Sequence, residues 1–161
     1  MESLHQLEMS GFLVWIRSSA SLWSYPAILF LHTVGMALAV GVSAVISLQI
    51  LGFAPEVPLR PMIRLAPIMW IGFWINAVSG TTLLLADITM KLKNPSFYVK
   101  MVFIALALVN VQMIKRHVFD DPLIDNKPLP SDAKMLAVTS LIFWLGAITA
   151  GRLMAYTLRV G

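Results

Sequence analysis

Cysteine is absent from the 161 residues, which excludes disulfides, thiolate nucleophiles and cysteine-ligated zinc or iron–sulfur sites. Charge is scarce too. Asp, Glu, Lys and Arg together make up 12% of the chain, against about 25% in soluble domains. No Ser–His–acid order, zinc motif, phosphate-binding loop or paired-carboxylate arrangement occurs, so the common hydrolytic and phosphoryl-transfer chemistries lack their residues. The few basic residues are not interleaved with aromatics as a nucleic-acid surface would require, so nucleic acid is not an expected partner.

What the chain has in excess is hydrocarbon. Hydrophobic residues reach 58% and the mean hydropathy is +0.81, so the solvent for most of it is lipid. The formal charge of +4 and the pI near 9.7 suit basic loops against anionic headgroups. Four windows are long and apolar enough to cross a bilayer: about 25–53, 63–89, 97–114 and 135–158. Between them APEVPLRP, MKLKNP and KRHVFDDPLIDNKPLPSD have the Pro, Asp, Asn and Lys content of polar loops. Ahead of the first window, residues 10–23 mix Trp15 and Trp23 with Arg17 and serines, which predicts a short amphipathic helix lying in the interface. Glu2 and Glu8 stand where a signal peptide carries positive charge, so this segment reads as retained.

The expected fold is therefore an all-α, integral membrane four-helix bundle forming one transmembrane domain over 1–161. Four spans place both termini on one side. Cations divide almost evenly between the two sides and leave orientation open; a slight excess in the first and third loops favours a cytoplasmic location for them and periplasmic termini. A faint repeat is also present. FWINAVS (Phe73–Ser79) matches FWLGAIT (Phe143–Thr149), and MALAV (Met36–Val40) resembles IALAL (Ile104–Leu108), both offset by close to 70 residues. That pattern suits a parallel two-plus-two duplication.

Polar groups inside hydrocarbon cost a few kcal/mol unless paired or facing a cavity. His32 lies about two turns into the first span, Arg152 about two turns from the end of the fourth, and Asp87 near the end of the second. Alternating span directions bring all three to one leaflet; Asn110 and Gln112 lie in the second half of the third span. His32, Gly35, Met36, Ala39 and Ser43 share one face of the first helix, where small residues allow close helix approach. Asn76, Ser79, Leu83 and Asp87 share a stripe of the second, as do Thr149, Arg152 and Tyr156 of the fourth.

Three uses of this layer compete. The first is a b-type haem: His32 as axial ligand, Gly35 and Ala39 leaving space for the ring, Arg152 on the propionates and Asp87 orienting the imidazole. Its second axial position would stay open in a five-coordinate haem, or be filled by His32 of a second copy or by His5. The second is copper, held by His32 and Met36 one turn apart. The third needs no cofactor: His32 bonds a backbone carbonyl or Asp87, Arg152 snorkels to the headgroups, Asp87 caps its helix, and the layer fixes helix register. His117 lies on the opposite surface and reads as a solvated loop residue. The small-residue face Gly35–Ala39–Ser43, with Gly146 and Ala150, further predicts a homo-oligomer or a partner membrane subunit.

The stretches LHTVGMALAVG, NPSFYVKMVFIALALVNVQ and FWLGAITAGRLMAY resemble an uncharacterised family of small four-helix bacterial inner-membrane proteins. The third-span stretch, with Asn94, Pro95 and Lys100 before an apolar run, is more distantly similar to the membrane domain of copper-resistance D proteins and to b-type cytochrome bundles. The resemblance implies the bacterial inner membrane, a bundle of the cytochrome-b or copper-import kind, and recurring positions at His32, Gly35, Lys100, Gly151 and Arg152. Taken with the layer of ionisable residues, it favours a redox or accessory subunit that passes electrons to or from quinone over a stand-alone enzyme.

Topology is directly testable. Reporter fusions after Pro61, Asn94, Lys127 and Gly161 are expected to alternate in location; the same location for the fusions at Asn94 and Lys127 would rule out four spans.

Overall fold

A computed structural model describes residues 24–120 and 129–160 of the chain. His5, the expected interfacial helix over 10–23 and much of the third loop lie outside the described residues. The described residues are helical and contain no strand, and four helices are long and apolar enough to cross a membrane. The chain is a multi-pass, all-α membrane bundle. Its elements are α1 (Ser24–Leu51), a 3-10 segment (Arg60–Leu65), α2 (Ala66–Ala86), a short α3 (Ile88–Leu92), α4 (Pro95–Ile114), a π-helical turn (Lys115–Phe119) and α5 (Ser131–Val160).

Local chemistry sets the boundaries. Helix α1 stops at Gly52, whose φ of 91° suits a residue without Cβ. The N–H of Phe53 reaches back to Leu48 O (3.1 Å) and that of Gly52 to Gln49 O (3.0 Å), a Schellman ending that satisfies two orphan carbonyls. The buried Gln49 side chain then donates to Ala54 O (2.7 Å) and Val57 O (2.5 Å) and ties down the first loop. The second span was expected as one run to 89. It breaks instead at Asp87 (φ −138°, ψ 45°), where Lys91 pairs with the carboxylate at 3.3 Å and donates to the freed Leu83 carbonyl. Helix α4 starts two residues earlier than expected because Asn94 Oδ1 accepts from Ser96 N at 2.9 Å and Pro95 suits the first turn. It also runs on past Ile114 as the π-turn KRHVF, a segment expected to be loop.

The helices pack as two antiparallel hairpins. Helix α1 lies along α2, α5 along α4, and α1 along α5, while α2 and α4 do not pack along each other. Size is distributed inside out. Ser43, Ser47, Ser79, Asn110, Ser140 and many alanines are buried, whereas Phe30, Trp74, Val78, Val102, Leu145 and Tyr156 face outward. Lipid solvates large apolar side chains as well as a core would, so small residues that let backbones approach occupy the interior. Ser43 anchors the mid-bundle contact, pairing with Ser140 Oγ (3.2 Å) and accepting from Trp144 Nε1 (2.9 Å). Beside it Ala39, Ala107 and Trp144 form an apolar cluster against Phe73 and Phe143. Nearer the first and third loops, Ile46, Ile50, Leu59, Ile114, Val118, Ala133 and Ala137 form a second cluster.

The tightest contact is between α1 and α2. A Cβ on Gly35 would fall 2.6 Å from Asn76 N and 2.7 Å from Gly72 O, and one on Gly72 would fall 2.8 Å from Ala39 N and 2.9 Å from Gly35 O. These neighbours are backbone and cannot swing aside. Gly41, on the same helix, has nothing within 4 Å of such a Cβ. Gly35→Ala is therefore expected to destabilise the protein by about 1–3 kcal/mol. Gly41→Ala is expected to gain up to about 1 kcal/mol from helix propensity. Unfolding in mixed micelles of both variants checks the contrast.

Candidate functional site

The end of the bundle that holds the start of α1, the end of α2 and the start of α4 brings His32, Asp87, Lys91 and Lys100 to one level. His32 is half-buried and lies against α2. Its Nδ1 is 3.1 Å from Asn76 O and 3.2 Å from Ser79 Oγ. A carbonyl can only accept, and Ser79 gives its own proton to Ile75 O at 2.6 Å, so the imidazole proton sits on Nδ1. Asn76 returns a bond from Nδ2 to His32 O at 2.8 Å. The Nε2 atom has no hydrogen bond among the described residues and carries its lone pair outward from this clamp.

Gly80 makes the clamp possible. A Cβ there would stand 2.9 Å from His32 Cε1 and 3.3 Å from Nδ1, so the ring occupies the place of a missing side chain. Gly80 was not singled out in the sequence. The available signal was its position one turn beyond Asn76 and next to Ser79, at the depth of His32.

The cation that joins His32 is Lys100. It enters the bundle from the first turns of α4, is half-buried, and its stem packs beside Gly151, 3.6–3.7 Å from where a Cβ would be. Its charge is within electrostatic reach of the imidazole, as is that of Lys91. Lys91 is neutralised by Asp87; Lys100 has no ion pair or hydrogen bond among the described residues. The resemblance had marked Lys100 and Gly151 as recurring positions, and the fold brings them into contact.

The remaining sequence candidates fall elsewhere. Arg152, expected to reach propionates at the terminal-side surface, is exposed on α5, as are its stripe neighbours Thr149 and Tyr156, because Gly151 and Ala150 turn the inner face of that helix toward its neighbours. Asp87, expected to orient the imidazole, is held by Lys91 at the helix break, and the Asn76 carbonyl takes that role. Gly35 and Ala39 do not border free space: α2 backbone fills the first position, and Ala107 and Trp144 pack against the second. Met36 is half-buried one turn from His32, and no group of three His, Asp or Glu suited to a metal exists among the described residues. His117 is exposed on the π-turn at the far end, with Nδ1 donating to Met113 O at 2.9 Å. Gly146, offered as spare packing surface, is filled by the Phe103 ring, and Ala150 is buried.

The internal repeat relates the two site residues. The 68-residue offset that carries Met36 onto Ile104 also carries His32 onto Lys100 and Ala39 onto Ala107. In the second and fourth spans an offset of 70 carries Phe73 onto Phe143 and Asn76 onto Gly146. Contacts follow the same correspondence: Gly35 meets Asn76 in one hairpin, and Phe103 meets Gly146 in the other. The glycine has changed helix while the register has stayed. His32 and Lys100 thus occupy equivalent positions of two like hairpins. No family model, curated protein or solved structure matches the chain.

The tautomer is open to measurement. Nitrogen-15 NMR of His-labelled protein is expected to show His32 protonated at Nδ1 and bare at Nε2, and Gly80→Ala is expected to displace the ring and abolish that signature. A wild-type Nε2–H signal would contradict the clamp.

Proposed function

We propose that this chain is a small haem-binding electron-transfer subunit of the bacterial inner membrane, with His32 as the axial ligand through Nε2. The observation that carries the reading is the clamp itself. A histidine that ligates metal donates its other ring nitrogen to a carbonyl or carboxylate, which fixes the tautomer and orients the ring. Asn76 O and Ser79 Oγ do this for His32. Lys100 adds a cation with no ion pair among the described residues at the same end of the bundle, suited to a propionate alongside Arg152. The donor set fits such a group, while Gly35 and Ala39 serve helix packing instead of bordering the ring.

A bound b-type haem would supply one-electron transfer, with quinone as the exchange partner in the same membrane. The residues of the chain hold the imidazole, balance charge and keep the site in a low-dielectric layer. His117 lies at the far end of the bundle and no further histidine occurs among the described residues, so a second axial ligand would come from His5, a second copy or a partner subunit. The slight cation excess in the first and third loops supports a periplasmic location for the site end and the termini. Copper on His32 and Met36 is the alternative cofactor.

A second reading also has an observation behind it. Ser43 with Ser140 and Trp144, and Asn110 with Thr139 at 2.7 Å, are inward pairs of the kind that fix register in an assembly or anchoring subunit. The spectrum of purified protein separates the two. With ample haem supply, the wild type is expected to show a Soret band, His32→Ala to lose it, and His117→Ala to keep it. Lys100→Met is expected to weaken haem retention about tenfold. Wild-type protein without a Soret band would overturn the haem reading; bound copper in metal analysis would then favour the alternative cofactor.

A further inference from the structure

At the end of the bundle away from His32, α2 and α4 do not pack together, and a cleft of about 90 Å³ opens between them. Its floor is Ser43 and Ile46 of α1; Ala66 and Trp70 form one wall, and Val111 and Lys115 the other. The polar atom on the floor, Ser43 Oγ, is already engaged by Ser140 and Trp144. The interior therefore offers hydrocarbon contact. The rim is different. Gln112 and Lys115 line the cleft and are exposed, Arg116 follows on the π-turn, and Arg64 is exposed between the wall residues Ile63 and Ala66. Lys115, Arg116 and Arg64 have no ion pair among the described residues.

An apolar slot inside the bilayer, with cations at its headgroup end that have no ion pair among the described residues, suits one kind of molecule in that medium, an anionic phospholipid. We propose that the α2–α4 cleft binds one such lipid, an acyl chain lying between the helices and its phosphate on Lys115 with Arg64 and Arg116 nearby. Basic pockets between transmembrane helices recognise anionic headgroups by this combination. A quinone would fill the slot but leave the three cations uncompensated. The π-turn contributes directly, because it carries the helical backbone of α4 on through Lys115 to Phe119, the last residue of the wall.

The test is lipid retention by the full chain. Protein is exchanged from mild detergent into bilayer discs of phosphatidylcholine doped with phosphatidylglycerol, then examined by native mass spectrometry. One phosphatidylglycerol per chain is expected to survive, and phosphatidylcholine is not. Lys115→Gln is expected to reduce retention about fivefold, and Ala66→Phe, which fills the slot and leaves every cation in place, to abolish it. Lys134→Gln, an exposed cation of α5 outside the cleft, is expected to retain the lipid. Equal retention of phosphatidylcholine, retention unchanged in Lys115→Gln, or a bound quinone in place of phospholipid would each overturn the proposal. Should Ala66→Phe fail to fold, Lys115→Gln decides alone.

Discussion

Where α1 crosses α2, two backbones meet with no side chain between them, Gly35 against Asn76 N and Gly72 O, and Gly72 against Ala39 N. Lipid offers no hydrophobic drive to bring helices together, so association depends on contact as close as this one. The crossing fixes which turn of α2 stands opposite His32. One turn from it, Asn76 and Ser79 present a carbonyl and a hydroxyl, and Gly80 leaves the width of a ring. A shift of one residue along α2 would rotate these groups by about 100° away from the imidazole. The clamp is thus a consequence of the glycine crossing.

The second hairpin keeps this plan and exchanges its parts. Phe103 fills the place of Gly35, Gly146 that of Asn76, and Lys100 that of His32. An imidazole with a bound proton on one nitrogen and a lone pair on the other is thereby set at the same end of the bundle as an ammonium group. No charged partner inside the described bundle absorbs that ammonium, in contrast to Lys91, which Asp87 and the Leu83 carbonyl hold.

Much of the architecture was legible in the residues. Apolar windows gave the four spans to within a few residues, since the length of a span and the avoidance of charge are set by the bilayer. The breaks were harder. The end of α2 at Asp87 depends on Lys91 capping a carbonyl from beyond the helix, and the extension of α4 through KRHVF reads as polar loop by composition. For the site, sequence gave depth better than direction. His32, Asn76 and Ser79 were placed on inward faces, and they meet. Arg152 was placed at the correct depth, but Gly151 beside it is the residue that turns inward. Because successive residues of a helix point about 100° apart, a single position decides whether a cation faces lipid or the bundle. Lys100 was marked by the resemblance alone, and its equivalence to His32 followed from an offset already visible in MALAV and IALAL.

The Ser43–Ser140–Trp144 contact joins the two hairpins from inside the bundle, and His32 and Lys100 belong to different hairpins. Ser43 lies eleven positions along the helix from His32, a lever arm of about 16 Å. A tilt of a few degrees between the hairpins about that pivot would move the imidazole and the ammonium relative to each other by on the order of 1 Å, without disturbing either glycine crossing. The geometry of the site is then set by the angle between two stiff bodies, a mechanical coordinate that anything wedged between α2 and α4 would also change.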